Sequence, residues 1–366
     1  MNSTAYITDI SEYNLNFSDI TVKWSSPSNI ALVKYWGKYG TQLPRNQSIS
    51  FSLKHSFTVM EMTCKRAEFS PLLRIKYFFE GKTNNQFQQK IEKFLNQLLP
   101  IFPFLQYSEI EIESQNSFPH SAGIASSASS MSALALCLCT VSNALYVSEN
   151  KNDNFLQKAS YISRLGSGSA CRSIYGGFSV WGESDCISGS SNEFAVPFPN
   201  NVHADFRNLQ DAILIVSTSP KEISSSKGHA LMEKHIFAEA RYLQANNNLQ
   251  NLVEVLQNGN FLKFSEIIEN EAFTLHSLMM TSTPSFTLLL PETLQIIKKI
   301  QKKRKEGLPV CFTLDAGPNV HLIYPECAKV EVVQFIENEL LMFCEQKKWI
   351  DDFCGSGATE FVDNQA

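Results

Sequence analysis

The chain has 366 residues, 43% of them hydrophobic and 11% aromatic, which supplies a sizeable core and excludes wholesale disorder. Its 31 basic and 36 acidic residues leave a net charge of −5. That balance argues against a nucleic-acid protein whose affinity rests on a basic whole.

The length suits one large domain or two ordinary ones. Nine cysteines, none in a CxxC pair and none clustered with the seven histidines, make a zinc site unexpected, and most of them read as reduced, buried thiols. The N-terminus has early acids and no apolar core of signal-peptide length. No stretch reads as the ~20 apolar residues of a membrane span. A soluble cytoplasmic protein is expected.

In chain order, residues 1 to about 18 read as a poorly specified arm. Residues 22–24, 48–53, 57–64 and 73–80 predict strands from alternation or β-rich composition. Phe87, Ile91, Phe94, Leu95 and Leu98 recur at helical spacing and predict a helix over 84–99, stopped by Pro100. Residues 108–114 alternate strictly and predict a strand. An Ala/Ser-rich helix is expected at 126–145. The stretch 182–210 reads as loop-rich and is the best boundary between parts.

Beyond it, 212–217 predicts an apolar strand. Helical patterns follow at 226–247, 248–257 (closed by Gly259), 261–280 and 291–305 (opened by Pro291). Strands are expected at 310–315 and 321–324, split by Ala316-Gly317-Pro318-Asn319, and a last helix at 327–346. Without regular βαβ alternation, the class is α+β. The division is an arm at 1–19, an N-terminal part at 20–205 and a C-terminal part at 206–366. The basic run from Lys298 to Lys305 lies opposite the apolar stripe Leu294, Ile297, Ile300 and reads as a solvated face with cations near a helix C-terminus.

Four segments carry chemistry. Residues 118–130, FPHSAGIASSASS, leave a strand and open a helix with almost only small side chains. Unpaired amides at a helix start favour an anion, and small residues let a polyphosphate approach. There is neither a Walker GKS/GKT nor a GxGxxG. A closely packed Ala/Ser core helix explains the composition equally well. Residues 26–38, SPSNIALVKYWGK, set two lysines four apart among apolar and aromatic residues. Burying either ammonium unpaired is costly, and snorkelling to water is the simpler alternative. Residues 164–173, RLGSGSACRS, form a Gly/Ser turn with an arginine suited to a carboxylate or phosphate, or a flexible loop with a surface arginine. In Thr313-Leu314-Asp315-Ala316-Gly317-Pro318-Asn319 an aspartate ends an apolar strand at a tight turn, where capping the turn is the commoner use of Asp before Gly-Pro.

Together, and in this order with SSSKGHAL at 224–231, these motifs resemble the diphosphomevalonate decarboxylases, a branch of the GHMP kinase superfamily, from about residue 20 to about 345. The resemblance implies a two-part GHMP kinase-like fold with the active site in the cleft between the parts, and a homodimer. It implies that ATP and Mg²⁺ drive phosphorylation of the 3-hydroxyl of mevalonate 5-diphosphate, then loss of phosphate and CO₂ to give isopentenyl diphosphate. Asp315, Lys38 and Arg172 match the catalytic set. Pro119, Ser121, Ala122, Gly123, Ala125, Ser126, Ser127 and Ser129 match the ATP phosphate segment. Tyr35, Lys38, Ser167, Ser169, Arg172 and Ser226 match substrate contacts. No metal ligand is assigned. Lys227 and His229 depart from the apolar residues that many relatives carry after the hydroxyls. No nucleic acid or membrane partner is implied.

Overall fold

The chain enters its largest sheet through β1 (Ile20–Val33), turns through the hairpin β2 (Lys38–Tyr39) and β3 (Leu43–Pro44), and returns antiparallel to β1 as β4 (Ser48–Arg66). The computed structural model describes residues 6–118, 126–147, 154–199, 201–219 and 223–362. The strands expected at 48–53 and 57–64 are halves of β4, with Lys54 and His55 exposed between them. β5 (Arg74–Phe79), β6 (Lys82–Thr83) and β7 (Ser108–Asn116) extend the sheet, β5 running parallel to β7. Between them α1 (Asn85–Gln97) is capped by Asn84 Oδ1, which accepts from the Phe87 amide at 3.1 Å, and it buries Ile91, Phe94 and Leu95.

α2 (Ser126–Leu145) and α3 (Phe155–Gly166) cover the sheet, and a 3-10 turn (Gly168–Ile174) leads to β8 (Phe178–Trp181) and β9 (Ala195–Pro197). β4 pairs with β7 along its second half and with β8 along its first. By length and composition α2 could cross a membrane, contrary to the sequence expectation, but 72% of that window is buried inside the protein. Its alanines, serines and cysteines let β1, β4 and α3 close around it, so it is a core helix. The arm is better specified than its sequence suggests. Tyr13 is buried, stacks on Tyr146 at 4.9 Å and meets the Ser142 hydroxyl at 2.9 Å.

The second part holds α4 (Ala204–Arg207), β10 (Gln210–Leu214), α5 (Ser225–Leu231), α6 (Ala238–Asn258), α7 (Phe261–Met280), α8 (Pro291–Lys305), β11 (Cys311–Thr313), β12 (Val320–Tyr324), α9 (Lys329–Phe335), β13 (Trp349–Phe353) and β14 (Thr359–Glu360). Its sheet runs β11-β12-β10-β13, with α8 and α9 packed on it. The helices expected at 226–247 and 248–257 are divided differently. The chain breaks at His235, whose Nδ1 accepts from the Phe237 amide, and α6 then runs unbroken to Gly259. The expected 327–346 helix is α9 followed by a π-turn (Ile336–Leu340) and 3-10 turns. On α8 the buried stripe is Ile296, Ile297 and Ile300, not Leu294, while Lys299 and Lys303 pair with Glu339 and Arg304 pairs with Glu269.

The architecture is two-part α+β, as expected. The parts share a core: Ile30, Phe51 and Phe178 pack with Ile213, Leu249, Phe264 and Ile323. The chain's last strand, β14, returns to the first sheet, pairing Trp24 with Glu360. This continuity brings the ends of β1 and β11 to one place.

Candidate active site

Lys34 follows the last residue of β1, and Asp315 lies two residues beyond β11. They meet across the junction of the parts, Nζ to Oδ1 at 3.0 Å. The lysine side chain is 2% exposed and the aspartate 27%, so the carboxylate is the accessible member. Burial pulls the Lys34 pKa below the ordinary lysine value, against the opposing pull of Asp315 and Glu271. Two carbonyl contacts fix Asp315 from behind: His276 Nε2 donates to its carbonyl at 3.1 Å and the Gly317 amide at 2.7 Å. Asn319 Oδ1 accepts from the Val216 and Ser217 amides, and Thr293 donates to the Pro318 carbonyl, so the whole turn is pinned.

Arg172, on the 3-10 turn after α3, is buried. Its Nε donates to Asn29 Oδ1 at 3.3 Å and its Nη1 to the Ser48 hydroxyl. Asn29 also donates to the Ser173 hydroxyl and the Ser169 carbonyl, tying β1 to the turn. Arg172 lies within electrostatic range of Asp315 and Tyr35. Beside it, burial pushes the Cys171 thiol up to about 12, so this cysteine stays a neutral packing group. Arg164 is structural: it is buried, pairs with Glu193 at 2.7 Å and holds the Thr41 carbonyl at the tip of the β2–β3 hairpin.

Tyr35 packs against Trp181 at 4.6 Å and His229 at 4.3 Å, and its hydroxyl has no hydrogen-bond partner among the described residues. Lys38 was expected to join Asp315 in the catalytic set; the lysine that pairs with Asp315 is Lys34. Gly37, with φ of 104°, turns the chain away after Trp36. Lys38 consequently sits on β2, half-buried, donating to Gln42 Oε1 at 2.9 Å, within range of His229. It remains at the rim of the site.

α5 closes the other side. A Cβ at Gly228 would lie 2.5 Å from Trp36 Cη2, so only glycine lets this helix approach so closely. Ser224 caps α5 by accepting from the Lys227 amide, and Ser226 is exposed on the first turn. His229 Nδ1 accepts from the Gly37 amide at 3.0 Å, which fixes the neutral ring with its proton on Nε2. Burial, with Lys38 adding, pulls its pKa down to about 3.

Ser126 and Ser127 open α2, whose first turn holds no acid. Ser127 Oγ lies 3.4 Å from Ser167 Oγ, so the two expected subsites touch. Ser129 points inward: it is wholly buried and bonded to Thr58 and the Ser126 carbonyl, so its hydroxyl is not offered to a ligand. Pro119, Ser121, Ala122, Gly123 and Ala125 lie outside the described residues. Among the described residues no three His, Cys, Asp or Glu side chains gather to hold a metal ion. The hydroxyls of Ser126 and Ser127 and the Asp315 carboxylate are hard oxygen donors. They suit a Mg²⁺ that keeps waters and arrives on phosphate oxygens.

Sequence reasoning missed Lys34, Asn29, Ser48 and His276. Lys34 had a signal: it ends the apolar run Ile30–Val33 just as Asp315 ends Phe312–Leu314.

The description "Diphosphomevalonate decarboxylase-like N-terminal domain" fits residues 26–192, and "Mevalonate 5-diphosphate decarboxylase C-terminal domain" fits residues 212–364. The diphosphomevalonate decarboxylase of Candida albicans is 28% identical over 325 residues, covering 85% of this chain and 86% of its own. A solved structure described as MDDEF in complex with MVAPP, AMPPCP and magnesium superposes with a TM-score of 0.79 at 29% identity, covering 94% of this chain and 99% of its own. Another, of the mevalonate diphosphate decarboxylase from Enterococcus faecalis, gives 0.77 at 28% identity, covering 94% and 99%. With both parts of the chain matched, it belongs to the diphosphomevalonate decarboxylase family.

Proposed function

We propose that this protein catalyses the ATP-dependent decarboxylation of mevalonate 5-diphosphate to isopentenyl diphosphate, releasing ADP, phosphate and CO₂. The observation that carries the reading is the Lys34–Asp315 pair, an accessible carboxylate held by a buried ammonium, with Arg172 in electrostatic range.

A tertiary alcohol is a crowded nucleophile. Asp315 orients the 3-hydroxyl and accepts its proton as the γ-phosphoryl group transfers. Lys34 sets a counter-charge against the carboxylate and fixes its direction. The start of α2, with Ser126 and Ser127, carries the phosphates of ATP on its amides and hydroxyls. Mg²⁺, when bound, neutralises phosphate charge. Phosphorylation makes the 3-oxygen a leaving group. As the C–O bond breaks, the electron pair of the adjacent C–CO₂⁻ bond becomes the new double bond and CO₂ departs. Arg172, braced by Asn29 and Ser48, aligns that carboxylate. Tyr35, Lys38, Ser167, Ser169 and Ser226 contact the rest of the substrate. The working parts are 20–205 and 206–366, and the enzyme acts as a cytoplasmic homodimer, which sedimentation of the purified protein tests.

Purified protein given ATP, Mg²⁺ and mevalonate 5-diphosphate should release ADP and CO₂ in equal amounts. Preference for the 5-monophosphate, or ADP without CO₂, points instead to a monophosphate decarboxylase or a kinase on the same scaffold.

A further inference from the structure

We propose that the buried pair Arg241–Glu271 is a positioning device that grips the backbone of Lys34 and so sets its ammonium against Asp315. The inference rests on the function proposed above and deepens it.

Arg241 on α6 and Glu271 on α7 are 2% and 0% exposed. They form a bidentate pair, Nη1 to Oε1 at 2.7 Å and Nη2 to Oε2 at 2.6 Å. Both members also reach one residue of another element. Glu271 Oε2 accepts from the Lys34 amide at 2.8 Å, and Arg241 Nη2 donates to the Lys34 carbonyl at 3.0 Å. Asn248 occupies Oε1 at 2.7 Å, and Asn46 adds a second donor to the Lys34 carbonyl. The β1–β4 ladder ends at Val33, opposite Ile49. Lys34 is thus the first residue beyond the ladder, and a buried charge pair takes over where the ladder stops.

α7 holds the other partner too. One turn and a half beyond Glu271, His276 donates to the Asp315 carbonyl. A single helix therefore contacts the backbones of both residues of the ion pair. Burying a charge pair is expensive, and apolar replacements of similar volume are often at least as stable. Stability alone therefore does not account for it, whereas a fixed Lys34 does. Displacing a reacting group by about 1 Å costs on the order of 10²-fold in rate.

The test is a double-mutant cycle. Arg241→Lys keeps the buried charge balance and loses the fork, and Glu271→Gln loses the charge. Each is made in the wild-type and in the Lys34→Met background, with kcat, KM and thermal melting measured on the full chain. Both replacements should lower kcat by roughly 10- to 100-fold and leave KM within about twofold, the signature of lost alignment. In the Lys34→Met background they should cause no further fall, because they act through Lys34. Folded Arg241→Lys with wild-type kcat overturns the proposal, as does an equal fall in both backgrounds. Should Glu271→Gln fail to fold, Arg241→Lys decides alone. If the unmodified protein releases no CO₂ from mevalonate 5-diphosphate, the functional reading fails. If it does and the variants match it, only the positioning role fails.

Discussion

Lys34 Nζ lies 3.0 Å from Asp315 Oδ1 although the two residues are 281 positions apart. The contact joins the last turn of one sheet's long strand to the first turn after another sheet's short one. It separates two lysines that the sequence presents as equivalents. Lys34→Met should lower kcat by about 10²-fold, because the carboxylate loses its counter-charge and its orientation. Lys38→Met, at the rim, should mainly raise KM. Steady-state kinetics on both variants checks this, and the reverse ranking would return the catalytic role to Lys38.

The serines of α2 divide in the same way. Ser127 is exposed and touches Ser167, whereas Ser129 is buried on Thr58. Ser127→Leu should weaken nucleotide binding in a titration without lowering Tm. Ser129→Ala should cost about 1 kcal/mol of stability and leave ATP affinity unchanged.

Much of this was readable from local pattern. The strict alternation at 108–114 became β7, α1, α7 and α8 formed where helical patterns placed them, and α2 where an Ala/Ser-rich run did. α3 was not readable, because its buried side includes Lys158, Ser160, Ser163 and Arg164, and polar residues facing inward hide a helical stripe. The second half of β1 hid for a similar reason: Ser26, Ser28 and Asn29 are buried beside Ile30 and Leu32, so no alternation shows. β13 and β14 depend on partners far away in sequence. In the site, segments 26–38 and 313–319 meet through Lys34 and Asp315. The choice between Lys34 and Lys38 depended on a positive-φ glycine between them.

His229 makes stability depend on pH. Its pKa is about 3 in the fold and close to the ordinary ~6.5 in the unfolded chain. Between those values the unfolded chain binds a proton that the native state does not. Stability therefore rises with pH across this window and is lost as pH falls from about 6.5 towards 3. His229→Gln removes this contribution. Denaturant melts at pH 7 and pH 5 should show a smaller acid-side loss in the variant than in the wild type. An identical loss would mean that the ring protonates in place.

Arg172→Lys keeps the charge but cannot hold Asn29 and Ser48 while presenting a third nitrogen. Elimination should slow more than phosphorylation, so ADP release should outrun CO₂ release. Equal product ratios with only a raised KM would make Arg172 a counter-charge and no more.

The most direct measurement is a single turnover of Asp315→Asn with saturating ATP and mevalonate 5-diphosphate, quenched and assayed for ADP. The substitution keeps size and removes the proton acceptor. ADP formation should slow by roughly 10²- to 10⁴-fold, with ATP affinity within about twofold of wild type. ADP formed at the wild-type rate would contradict Asp315 as the base and, with it, the role given to the Lys34–Asp315 pair.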